Sequence, residues 1–191
     1  MNSALMIPVG IFSFLGGALL GRSSRKGLSM LPSPKEGPLP GVPLVRWERF
    51  ITIMAVAPKR QITPRGRMGM FGMDARRLAD VNFMSKPRKV TMGSETGVWT
   101  GDWKDPLSQE AFLDSTPAQY EAFKRSMRQM APKVAGFVGR PVDGVKATLS
   151  GLLGVGHLAG EAGVSGWMND PETRRRFKAT TDNFNRANGV F

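Results

Sequence analysis

Five prolines, Pro32, Pro34, Pro38, Pro40 and Pro43, crowd one short stretch of the chain. Each fixes its own φ and removes a backbone donor, so neither a helix nor a central strand can pass through. Residues 22 to 43, RSSRKGLSMLPSPKEGPLPGVP, therefore read as an extended, semi-rigid and basic linker. It divides the 191 residues into a hydrophobic segment over 1–21, the linker over 22–43, and one globular domain over 44–191.

Residues 4 to 20, ALMIPVGIFSFLGGALL, carry no charge. They sit at the short end of what spans a bilayer. A signal peptide opens with Lys or Arg and ends in an A-x-A-like site. Here Arg22, Arg25 and Lys26 follow the run instead, so the segment reads as an uncleaved transmembrane anchor. The competing reading is a hydrophobic helix packed inside an oligomer or protein assembly. Gly17 and Gly21 form a GxxxG, which permits close helix contact. In a cell membrane the basic flank would face the cytoplasm, a poor place for an enzyme that cuts cell wall. A virus particle escapes that objection, because it meets the envelope from outside.

From Leu44 the apolar residues take helical spacing. Trp47, Phe50, Ile51 and Met54 recur at i, i+3, i+4 and i+7. Between Ile51 and Ala57 only Thr52 is polar, which predicts a helix end buried all round and stopped by Pro58. Asp74 is placed to cap a second helix with Leu78 and Val81 inward. Residues 85 to 106 read as a long loop or small hairpin carrying Trp99 and Trp103. Thr116-Pro117-Ala118-Gln119 has the form of a capping box. Tyr120, Phe123, Met127 and Met130 mark the face of the helix that follows, expected to end near Pro132. Ser150 opens a glycine-dense helix that Gly160 terminates, and Asp170-Pro171 starts a last helix. Nothing alternates with period two for long, so the fold class is mainly α.

The chain has no cysteine and one histidine, which excludes disulfides and thiolate or His-rich metal sites. No metal and no cofactor is expected. GLLGVGHLAG, residues 151 to 160, lacks the GK[ST] of a phosphate loop and misses the dinucleotide spacing. Its glycines read as contact points for another helix, and His157 as a hydrogen-bonded core residue. The formal charge is +12, and Arg22 to Arg67 holds ten Lys/Arg against two Glu. Such a balance seeks anions: phospholipid headgroups first, with DNA as the rival. No helix-turn-helix, zinc-finger or RNA-binding signature is present.

Three segments, taken in order, resemble phage and bacterial lysozyme-like proteins. TPRGRMGMFGMDARRLAD (63–80) is similar to the family's Gly-rich segment "G-x-x-G-x-Y-Q-F … R-L-x-D", through Gly66, Gly69, Phe71, Arg77, Leu78 and Asp80. FLDSTPAQYEAFKRSM (112–127) looks like the family's next helix, "F-L-x-x-P-x-x-Q". LSGLLGVGHLAGEAGVSGWM (149–168) is similar to "S-G-L-L-A-x-A-H-L-x-G-x-x-G-V-x-x-F", the most specific of the three. The resemblance implies a lysozyme-like helical domain with a sugar groove near Gly69, Phe71, Trp99, Trp103 and His157.

One departure governs the chemistry. In the family, the helix before the glycine segment ends in a catalytic glutamate. The aligned position here is Ala57, which cannot donate a proton. Sugar hydrolysis needs a general acid and a second stabilising group. Asp74, Glu95 and Glu161 are the candidates for a relocated acid. The resemblance thus implies a catalytically degenerate, virion-associated or membrane-anchored structural component of a phage particle. It would meet the membrane through residues 4–20, other virion proteins, and peptidoglycan. The alternatives are an active peptidoglycan-degrading lysozyme or transglycosylase, located in the virion or the bacterial envelope, and a basic DNA- or membrane-binding assembly factor.

Overall fold

A computed structural model describes residues 36–191. The hydrophobic segment and most of the linker lie outside the described residues. Residues 36–43 do not form a free spacer. Gly37 N–H donates to Val42 O at 2.7 Å, and Leu39 and Val42 are buried, so these residues pack with the helices that follow.

Helix α1 (Leu44–Met54) buries Trp47, Phe50 and Met54, the face that its spacing predicts. Its end is not buried all round: Thr52 and Val56 are exposed. The helix stops at Met54, and Pro58 constrains only the loop beyond. Helix α2 (Ala75–Asp80) is capped by Asp74, whose carboxylate accepts from Arg77 N–H, and Leu78 and Val81 face inward.

A hairpin of β1 (Met84–Met92) and β2 (Glu95–Trp103) follows, pairing antiparallel with two register shifts. Of its eighteen strand positions only Met84 and Val98 are buried, so no apolar alternation marks it in the sequence. Helix α3 (Gln109–Asp114) leads into α4 (Thr116–Val134). The cap of α4 is Ser115, not Thr116: its hydroxyl accepts from Ala118 N–H at 3.1 Å. Gln119 turns inward instead of closing a capping box. The helix also runs through Pro132 to Val134.

A short hairpin of β3 (Pro141–Val142) and β4 (Val145–Lys146) precedes α5 (Leu149–Asn169). Thr148, not Ser150, caps α5. Ser150 is fully buried, and its hydroxyl accepts from the N–H groups of Val190 and Phe191 at 3.2 and 3.3 Å. Gly160 breaks α5 at φ 71°, ψ 175°, as its position predicts, but a second helical segment continues to Asn169. Asp170 caps α6 (Pro171–Arg176), which is not the last helix, for α7 (Lys178–Ala187) follows. About 53% of the described residues are helical and 17% extended, which makes the unit mixed α/β rather than purely helical.

The α5 glycines are packing devices, as expected. A Cβ on Gly151 would lie 2.5 Å from Asn188 Oδ1, one on Gly154 2.9 Å from Asn183 O, and one on Gly156 2.9 Å from Met130 Sδ. Small residues thus let α7 and α4 press against the two sides of α5. Among the described residues no helix is long and apolar enough to cross a membrane.

Candidate functional site

The loop after α1 is fixed by a turn at residues 68–73. Met68 and Met73 exchange both backbone hydrogen bonds, at 2.9 and 3.0 Å. Gly69 at φ 71° donates to Gln61 O at 2.9 Å, and Ala57 N–H donates to Met70 O at 3.3 Å. Behind the turn stands Gln119, whose Oε1 accepts from Met70 N–H at 2.9 Å. A Cβ on Gly69 would sit 2.5 Å from that oxygen, so both the left-handed backbone and the close approach require glycine.

The turn presents Phe71 to the core. Its ring stacks on Phe123 at 4.2 Å, and its carbonyl meets His157 Nε2 at 2.6 Å. His157 is buried, and burial, with the nearby Arg77 charge, holds its pKa at about 3. The ring is therefore neutral, with Nε2–H donating to Phe71 O. Nδ1 is a buried acceptor without a partner among the described residues. The core-histidine reading holds for the hydrogen bond.

This buried ring makes stability depend on pH. The unfolded ring binds a proton below about 6.5 and the folded ring only near 3. Its contribution is complete above about pH 6.5 and is lost as pH falls toward 3. The expected slope is at most about 1.4 kcal/mol per pH unit. Urea midpoints taken across that range should show it in the wild type and lose that part of it in His157→Gln.

Arg77 comes close behind His157. Its guanidinium donates to Ser126 Oγ at 3.3 Å and Gly156 O at 3.2 Å. Burial lowers its pKa, against the charges of Asp74 and Asp80. Gly156 belongs to the last turn before the break at Gly160, where helix carbonyls lack intrahelical partners and a cation is favoured. The arginine of the "R-L-x-D" segment thus serves the α5 break.

Two clefts border Leu158. The first, about 610 Å³, is lined by Met54, Val56, Ala57, Phe71 and His157 on one side and by α7 on the other, including Asp182, Asn183 and Arg186. The second, about 730 Å³, is lined by Asp74, Arg76, Arg77, Trp99, Lys133 and Glu161, among others. Ala57, Phe71 and His157 therefore converge, and the first cleft is the candidate site.

Of the other predicted residues, Asp74, Trp99 and Glu161 meet in the second cleft, and Glu95 and Trp103 line neither. Asp74 is engaged as the α2 cap and Glu161 pairs with Lys133 at 2.6 Å, both in the second cleft. Glu95 lies on the hairpin, 3.3 Å from Arg65, and lines neither cleft. Trp99 is in the second cleft, with Arg76 and Lys89 each 5.3 Å from its ring. Trp103 packs on Phe112 at 5.3 Å and lines neither cleft. Gly69 is buried behind the first cleft and shapes its wall.

Among the described residues, the first cleft carries one carboxylate, the exposed Asp182, against two guanidiniums, Arg67 and Arg186. It is apolar along Met54, Val56, Ala57 and Phe71. The α7 wall lay beyond the resemblance, which stops at Met168. No protein-family model, curated protein or solved structure matches this chain.

Proposed function

We propose that this chain is a lysozyme-like virion protein that has lost its proton donor. It serves as a structural component of a phage particle, contacting the membrane through residues 4–20 and holding cell-wall polymer without cutting it. One observation carries this reading. The cleft that joins Ala57, Phe71 and His157 has alanine where the family has its acid, and Asp74, Glu95 and Glu161 all lie outside that cleft. General acid catalysis supplies about 10²–10⁴-fold in rate, so an otherwise intact groove would bind and not hydrolyse.

The test is digestion of purified sacculi by the full chain, with soluble muropeptides separated by chromatography. No release is expected from the wild type, and release from Ala57→Glu. Release by the wild type would overturn the reading. Asp182 favours a second reading, an active enzyme with its carboxylate on α7. In that case wild-type lysis would be abolished in Asp182→Asn and kept in Asp74→Asn, Glu95→Gln and Glu161→Gln.

A further inference from the structure

Among residues that line neither cleft, apolar side chains and free cations share elements that one ion pair ties together. Arg174 forks onto Asp143, Nε to Oδ2 at 3.0 Å and Nη2 to Oδ1 at 2.8 Å, and its Nη1 donates to the carbonyls of Trp167 and Met168. Asp143 sits in the turn between β3 and β4, so the fork holds this hairpin beside α6. Val145 in the hairpin is 53% exposed, Phe177 at the α6–α7 corner 52%, and Val138 just before β3 47%. Arg140, Lys146, Arg176 and Lys178 are exposed around them and join no ion pair among the described residues. Two of these cations lie over neighbouring rings, Arg140 at 4.9 Å from Phe137 and Arg176 at 5.6 Å from Phe177.

We infer that this end of the unit, from Val138 through the β3–β4 hairpin to Lys178, docks on an anionic phospholipid surface. Interfacial binding needs both components found here: apolar side chains that enter the headgroup boundary and cations that meet the anionic lipid. Nucleic acid would use the cations and leave Val138 and Val145 in water. A second copy of the same face would set like charges against each other. None of these side chains lines the Ala57 cleft.

Flotation of the full chain with limiting vesicles separates the cases. Phosphatidylcholine alone reports binding through residues 4–20. Adding one-third phosphatidylglycerol reports the basic face, and wild type is expected to partition more strongly there. Each cation adds about fivefold at an anionic surface, so Arg176→Gln/Lys178→Gln should lose roughly 20-fold of that gain. Val145→Ser/Phe177→Ser should lower it by about tenfold, through lost apolar contact. These side chains are exposed, and an unchanged thermal midpoint verifies the fold. No preference for the anionic vesicles overturns the inference. So does an unchanged preference in both variants, or a variant that loses DNA retention and keeps vesicle binding.

Discussion

Replacing Gln119 by leucine is expected to remove about 4 kcal/mol of stability, read as a lower urea midpoint at unchanged slope. The side chain is 1% exposed. Its two Nε2 hydrogens are shared among the carbonyls of Lys59, Phe112 and Leu113 at 3.1, 3.0 and 3.1 Å, while Oε1 accepts from Met70 N–H. Leucine fills nearly the same volume, so the loss isolates hydrogen bonding from packing. Each buried backbone group left without a partner costs about 1–3 kcal/mol, and some of the four regain water. Lys59 and Met70 stand in the loop that carries Ala57 and Phe71 into the candidate cleft, so the variant should also loosen that wall. A loss below about 1 kcal/mol would mean that the four groups have other partners.

A Gly154→Val chain should lose about 3 kcal/mol by the same assay, as overpacking against backbone does. The new Cβ would meet Asn183 O at 2.9 Å, its carbonyl carbon at 3.2 Å and Ala187 Cβ at 3.3 Å. Asn183 also donates to Gly154 O, so the helices are coupled at the point of closest approach. Relief requires α7 to move, and α7 is one wall of the cleft. Gly166→Ala in the same helix is the contrast. Nothing lies within 4 Å of its added Cβ, so helix propensity alone should make it stabilising by up to about 1 kcal/mol. An equal response at both positions would show that α5–α7 contact is not what the glycines serve.

Local signals carried far in this chain. The Trp47–Met54 spacing located α1 and its buried face, Asp74 announced the start of α2, and the position of Gly160 marked the break in α5. The signals failed where a distant group decides. Ser115 caps α4 because Gln119, the expected partner of Thr116, is drawn inward by Lys59 and Met70, about fifty to sixty residues away along the chain. The hairpin was ambiguous because both of its faces are mostly wet, so its strands carry no alternation to read. Ala57, Phe71 and His157 line one cleft, Asp74, Glu161 and Trp99 line another, and Glu95 lines neither. That division was not legible in the sequence, since it depends on how α2, the β1–β2 hairpin and α5 pack in space. Asp182 and Arg186 stand on α7, where no motif pointed.

The way the last residues close the core sets an order of events in folding. Arg46 Nη1 donates to Val190 O at 3.3 Å, and the Phe50 and Phe191 rings meet edge-on at 5.2 Å. Helix α1 leaves the ribosome early, yet part of its buried face has no neighbour until residues 190 and 191 have been synthesised. Closing so long a loop is entropically costly and slow. Until then the side of Phe50 that meets Phe191 stays open on the nascent chain, a point where a chaperone or another unfinished copy can bind. Arrival of residues 190 and 191, rather than formation of α1, is therefore what closes this edge of the core against aggregation.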